Sequence, residues 1–254
     1  MEKEQKNIKH KLGLLGRSIS YSFSRSYFKS KFEREDITDV RYENFDLETI
    51  DSFPSLIQST ENLRGMNVTI PYKEVVMPYL SELDTIAEKI GAVNTIKVCD
   101  DGKLIGYNTD YFGFQESLKP LLNEAHKSAL ILGTGGASKA VAYALNELGI
   151  AHFYVSRSIS KKVTYTYEDL SEAIIKDHLI IINCTPLGTF PNITQCPNIP
   201  YQAITKHHLM YDLIYNPSET QFLKNGKEKG ATICNGLSML ELQAEKAWQI
   251  WNLH

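Results

Sequence analysis

The chain has 254 residues, 43% of them hydrophobic and 22% charged, and a net charge of −3. That length holds one large domain or two ordinary ones, and the near-neutral balance gives no electrostatic reason to expect a nucleic-acid or membrane-surface partner. The four scattered cysteines (Cys99, Cys184, Cys196, Cys234) form no Cys-x-x-Cys pair and the seven histidines no His-Glu-x-x-His, so no metal is expected and free thiols in the cytoplasm are the default. The adjacent His207 and His208 read as a solvated loop pair rather than a metal site. Leu12 to Leu15 is too short for a signal segment, and no apolar run approaches a membrane span.

Strand and helix patterns alternate along the chain, which predicts an α/β fold with mostly parallel sheets. Strands are expected at 11–15, 41–45 and 65–69, with helices at 23–33, 47–59, 73–80 and 86–90. Strands at 94–98 and 103–106 flank Asp100-Asp101-Gly102, a hairpin turn signal. A second unit is expected from Asp110, with a helix over 111–122 and a buried strand at 129–132. A glycine turn follows, then a helix over 137–148 that Gly149 can close. Strands at 153–155, 179–182, 209–211 and 232–234 come next, and an amphipathic helix over 238–251 ends the pattern.

The glycine turn is Gly133-Thr134-Gly135-Gly136-Ala137. It follows an apolar strand and opens a helix, the context in which bare amides and a helix N-terminus hold a pyrophosphate. An ordinary tight turn is the competing reading. The next strand ends in Ser156-Arg157-Ser158, with no acid to take a ribose 2′-hydroxyl. A guanidinium flanked by two hydroxyls suits a 2′-phosphate, which points to NADP.

Three polar phrases precede that turn: Gly65 to Lys73, Gly91 to Thr95, and Asn108-Thr109-Asp110. Their amides, hydroxyls, amine and carboxylate suit a small polyhydroxylated substrate. Lys73 is expected in the first turn of a helix, where the macrodipole gives a lysine no structural advantage. Reduction of a ketone by hydride leaves an alkoxide, and a Lys73–Asp110 pair can supply its proton and stabilise the charge. Read singly, Lys73 also fits a solvated lysine, Asp110 a helix cap, and Asn67, Thr69, Asn94 and Thr95 turn or strand-end residues. Ser22 and Ser24 stand before or at a helix start, where they can cap it or bind a carboxylate.

Together these phrases resemble the shikimate dehydrogenase family over nearly the whole chain and in the family's order. Residues 65–73 match its Gly-x-Asn-Val-Thr-x-Pro-x-Lys phrase in full. Asn183 to Gly188, the Asp212 to Thr220 segment, and Gly236 to Gln243 resemble three later ones. The resemblance implies a substrate domain over 1–109, completed by a C-terminal helix over 238–254, and a Rossmann-like NADP domain over 110–237. It implies a catalytic pair, Lys73 and Asp110, and substrate contacts from Ser22, Ser24, Asn67, Thr69, Asn94, Tyr215 and Gln243. Cofactor contacts would come from Gly133, Thr134, Gly135, Gly136 and Ala137, from Ser156, Arg157 and Ser158, and from Thr185, Leu213 and Gly236. The implied reaction is reversible NADP-dependent reduction of 3-dehydroshikimate to shikimate, in chorismate and aromatic amino-acid biosynthesis, by a monomer or homodimer. Ser18, Tyr21 and Arg25 depart from the family's proline, histidine and proline, and 159–178 is short for it. A quinate/shikimate dehydrogenase with relaxed cofactor use and a non-catalytic dinucleotide sensor remain alternatives.

Overall fold

The structure, a computed structural model, describes residues 8–20 and 23–252. The chain forms two compact units. One runs through Thr109 and includes the stretch from Ala244; the other is Asp110–Gln243.

The first unit comprises β1 (His10–Gly16), α1 (Phe23–Arg34), β2 (Val40–Asp46), α2 (Phe53–Ser59), β3 (Leu63–Val68), β4 (Glu82–Leu83), α3 (Thr85–Ile90), β5 (Thr95–Val98) and β6 (Leu104–Tyr107). Its sheet order is β2-β1-β3-β5-β6-β4. β2 and β3 flank β1 in parallel, which the α1 crossover permits, while β5 and β6 form the expected antiparallel hairpin. Side chains alternate across the sheet. Leu15, Met66, Val68 and Ile96 pack with Phe53 and Val76, whereas Leu12 and Leu14 pack with Phe28, Phe32 and Tyr42 on the other side.

Two expected helices differ. Leu47 donates its amide to the Gly16 carbonyl and Thr49 is extended, so the 47–59 segment becomes helical only as a 3₁₀ turn at Ile50–Ser52 that runs into α2. The expected helix over 73–80 is a set of turns ending in a 3₁₀ turn, Met77–Tyr79. Pro78 has no N–H for the Glu74 carbonyl, and the Met77 amide takes that carbonyl instead at 3.2 Å.

The second unit comprises α4 (Asp110–Leu118), β7 (Ser128–Leu132), α5 (Gly136–Glu147), β8 (Ala151–Ser156), β9 (Val163–Thr166), α6 (Glu172–Asp177), β10 (Ile180–Asn183), β11 (Leu209–Asp212), α7 (Gln221–Glu228) and β12 (Thr232–Cys234). α8 (Leu237–Asn252) starts here, and its residues from Ala244 belong to the first unit. The sheet is parallel throughout, in the order β12-β11-β10-β7-β8-β9. Both faces are buried: Ile131 and Ile182 point to one cluster, Leu130 and Ile181 to the other. Starting from β7, this is the doubly wound order of dinucleotide-binding sheets, with its switch point between β7 and β10.

In the first unit, the portion of α8 from Ala244 lies on the Leu12–Leu14 face. Ala244, Ala247, Ile250 and Trp251 pack there against Phe28 and Tyr42. Trp251 is fully buried and its indole donates to the Ile96 carbonyl at 3.0 Å. Lys31 of α1 is buried and held by Glu245 at 2.8 Å and Glu35 at 2.9 Å. The Tyr27 hydroxyl donates to the same Glu245.

Candidate active site

In the first unit the polar phrases are stitched together by backbone bonds. The Val68 amide donates to the Asn94 carbonyl at 2.8 Å, and the Val93 amide to the Lys73 carbonyl at 2.7 Å. The Asn94 amide donates to the Tyr107 carbonyl at 3.0 Å. Lys73 and Thr69 are half-buried in the turns that follow β3, while Asn67, Asn94, Thr95, Asn108 and Thr109 are buried. The sequence phrases around Asn67, Lys73 and Asn94 therefore occupy one end of the β3–β5 pair. The helix expected to begin at Lys73 is absent, so no macrodipole acts there; the Lys73 backbone is held instead by the bond from Val93.

Buried side chains join in a directed series. The Tyr42 hydroxyl donates to Asn67 Oδ1 at 2.9 Å, and Asn67 Nδ2 donates to Thr95 Oγ1 at 3.2 Å. Thr95 Oγ1 donates to Asn94 Oδ1 at 3.2 Å, and Asn94 Nδ2 to Thr109 Oγ1 at 3.1 Å. Asn94 Oδ1 also accepts the Thr109 amide at 2.6 Å. Ser24 is buried inside the first turn of α1 rather than capping it. Ser22 and Tyr21 lie outside the described residues.

In the second unit Asp110 is buried and is the first residue of α4, so it is part of the helix and not its flanking cap. Gln243 is buried on α8 and donates to the Leu240 carbonyl at 2.9 Å. Tyr215 is half-buried, and burial raises its phenol above the ordinary tyrosine value.

The candidate dinucleotide cradle follows the C-terminal end of β7, a central strand of this sheet. Gly133 has φ +101°, a conformation L side chains rarely adopt, and its amide donates to the Val155 carbonyl at 2.8 Å. Gly135 flanks α5 without a side-chain cap, so amides of the first turn are left for another acceptor. A Cβ built on Gly135 would meet nothing within 4 Å, which leaves an open approach to that backbone. Thr134, Gly136 and Ala137 complete the turn into α5. Ser156 ends β8, with Arg157 and Ser158 exposed just beyond it. The Tyr167 hydroxyl is buried, finds no hydrogen-bond partner among the described residues, and feels the Arg157 charge. An uncapped helix start, an exposed guanidinium and an unanswered hydroxyl fit a phosphorylated dinucleotide.

Asp212, which local motifs gave no reason to single out beyond the resemblance, organises the neighbouring loops. Its Oδ1 accepts from Asn183 Nδ2 at 3.1 Å and from the Ile214 amide at 3.0 Å; its Oδ2 accepts from Thr220 Oγ1 at 2.6 Å. Asn183 Oδ1 in turn accepts the Thr185 hydroxyl at 2.7 Å and its amide at 3.0 Å. One buried carboxylate thus fixes the loops that carry Thr185 and Leu213. Its pKa is raised to about 6 by burial, against the pull of those donors. Leu213 also explains Gly236, where a Cβ would come 2.0 Å from the Leu213 carbonyl oxygen.

A doubly wound unit with a glycine turn, in one chain with an α/β unit rich in buried amides and hydroxyls, defines the class of two-unit dinucleotide-binding α/β proteins. The sequence profile described as "Shikimate dehydrogenase substrate binding domain" matches residues 14–96. The shikimate dehydrogenase (NADP(+)) of Clostridium beijerinckii is 42% identical over 253 residues, 94% of this chain and 90% of that one. The crystal structure of shikimate dehydrogenase from Aquifex aeolicus superposes with a TM-score of 0.85 at 34% identity, covering 99% of this chain and 94% of that one. Quinate dehydrogenase from Corynebacterium glutamicum, solved with NAD, has a TM-score of 0.86 at 26% identity, with 97% and 94% covered. The chain belongs to the shikimate dehydrogenase family.

Proposed function

We propose that this protein catalyses the reversible, NADP-dependent interconversion of 3-dehydroshikimate and shikimate, as its relatives named shikimate dehydrogenase (NADP(+)) do by name. Such a reaction serves chorismate and aromatic amino-acid biosynthesis. The observation that carries this reading is the convergence of Asn67, Thr69, Lys73 and Asn94 on one end of the β3–β5 pair, in a chain whose second sheet offers a glycine turn followed by Ser-Arg-Ser.

In this reading residues 1–109, completed by 238–254, form the substrate domain, and residues 110–237 the cofactor domain. Ser22 and Ser24 hold the substrate carboxylate. Asn67, Thr69, Asn94, Tyr215 and Gln243 hold the ring and its hydroxyls. Gly133 to Ala137 take the pyrophosphate on backbone amides, Arg157 with Ser156 and Ser158 takes the 2′-phosphate, and Thr185, Leu213 and Gly236 border the nicotinamide. NADPH, when bound, supplies hydride to the ketone carbon. Lys73 delivers a proton to the oxygen on which negative charge develops, and Asp110 shares that proton and keeps the amine oriented. In the reverse direction the same pair takes the alcohol proton. The protein acts in the cytoplasm, as a monomer or homodimer; none of its described helices is long and apolar enough to cross a membrane.

The test is NADPH formation by the purified protein with shikimate. Shikimate with NADP should give the highest kcat/KM among the combinations of shikimate or quinate with NADP or NAD. Equal efficiency with quinate and NAD would instead favour an enzyme of relaxed specificity, and no turnover with any combination would favour a dinucleotide sensor.

A further inference from the structure

Four strands end the two sheets: β2 and β4 in the first, β12 and β9 in the second. β4, β12 and β9 have two, three and four residues, the short edges by which sheets avoid pairing with other chains. β2 departs from that pattern. It has seven residues, contains no proline, and keeps an unbroken register with β1 from Val40 to Asp46. Among the described residues no strand pairs with its outer side. Its charges also fit a reversed copy of itself. In an antiparallel pairing of two β2 strands centred on Tyr42, Arg41 of each stands opposite Glu43 of the other, on one face of the sheet. Within one chain Arg41 and Glu43 form an exposed ion pair at 2.9 Å. Such a pair contributes little to a single chain, so exchanging partners across an interface costs little.

α1 repeats this arrangement on the other face. Its Phe28 stacks on Tyr42 with ring centroids 4.6 Å apart. Arg25, Lys29, Glu33 and Asp36 are exposed and line a groove beside β2, whose apolar wall includes Phe32 and Ile37. The two basic residues come first along the chain and the two acidic ones last, at helical spacing. α1 crosses between the parallel strands β1 and β2, so it runs against both, and a two-fold axis that reverses β2 reverses α1 as well. Arg25 then faces Asp36 of the second copy, and Lys29 faces Glu33. The midpoints of both pairs fall next to Lys31, within one turn of Phe28 and so close to the level of Tyr42. Strand and helix therefore call for the same axis.

We propose that the open edge of β2 and the outer face of α1 form an isologous docking surface for a second copy of this chain, joining two first-unit sheets into one continuous sheet. The choice of a second copy over any other partner rests on self-complementarity. Two separate elements each present opposite charges in an order that matches its own reverse, which is what a two-fold interface requires. The unpaired amides and carbonyls of β2 supply the backbone bonds, and Phe32, Ile37 and Val40 supply apolar surface beside them. The interface does not depend on which substrate the protein binds.

The test is sedimentation equilibrium of the full chain and of charge-reversed variants. The wild-type protein should be a dimer at ~10 μM. Lys29→Glu sets like charges against each other twice across the axis, and the dimer Kd should rise at least about tenfold. Adding Glu33→Lys restores opposite charges in the reverse order, and the Kd should return to within about threefold of wild type. Arg41→Glu alone, and then with Glu43→Arg, should behave in the same way. Far-ultraviolet circular dichroism of every variant should match wild type, since none of these side chains is buried. A wild-type monomer at ~100 μM would overturn the proposal. So would a dimer whose Kd ignores the single reversals, which would place the interface elsewhere. Single reversals that weaken the dimer without recovery in the paired ones would contradict the two-fold matching of charges.

Discussion

At the scale of single residues, the phrases that carry chemistry are legible because their residue types are poor structural choices. Read singly, Lys73, Asn67 and Asn94 fit a solvated lysine and turn or strand-end residues; it is the combination of amides, hydroxyls, amine and carboxylate in the three phrases that suggests a polar pocket. Lys73→Ala is expected to lower kcat at least ~100-fold while shikimate binding changes little; near wild-type turnover would remove the assigned role. Arg157→Ala is expected to raise the KM for NADP about tenfold or more and to leave that for NAD nearly unchanged, since only the former has a 2′-phosphate to pair with. Equal losses would contradict that assignment. The residues that sequence reasoning passed over, Tyr42 and Asn183, act through partners at separations of 25 and 29 positions, Asn67 and Asp212. Nothing local announces such bonds, because the strand pairing that creates them is not written in either neighbourhood.

At the scale of elements, apolar periodicity located most strands and the long helices, and failed where backbone partners decided. The 47–59 helix gave way to a β-type extension because Leu47 is bound to Gly16, and the 73–80 helix was interrupted at Pro78. β4 has two residues, and α6 six, too short to show a period. α7 carries its buried Phe222, Leu223 and Gly226 on one face at helical spacing, a short amphipathic stripe that the strand-and-helix reading did not assign. The far end of α8 is the element whose packing is most costly to lose. Trp251→Ala removes a fully buried indole and its bond to Ile96. The expected cost is about 3–5 kcal/mol, lowering the thermal midpoint by about 6–20 °C. A shift of a degree or two would show that α8 ends independently of the first sheet.

At the scale of the molecule, the alternation of strand and helix disclosed the architecture, and strand order supplied what the pattern could not: a doubly wound second sheet with its switch point beside the glycine turn. Stability there should depend on pH through two buried groups of opposite sign. Asp212 has its folded pKa raised from 3.8 to about 6, so its stabilising contribution is full below 3.8 and lost as pH rises through about 6. His208, expected in a solvated loop, is buried against the Ile175 carbonyl with its Nδ1 accepting the Thr205 amide, and its pKa is lowered from 6.5 chiefly by burial. Its contribution is full above 6.5 and lost as pH falls through its folded value. Because the two oppose, the difference between wild type and Asp212→Asn is the informative quantity. It should shift in favour of wild type by about 2 kcal/mol between pH 7 and pH 4; a flat difference would contradict the raised carboxyl.

The most direct measurement is a double-mutant cycle on kcat for shikimate oxidation, with Lys73→Ala, Asp110→Asn and both together. If one proton is shared by the pair, each single change should cost at least ~100-fold, and the double variant should be little slower than the slower single one. Losses that multiply would contradict a shared role for the amine and the carboxyl.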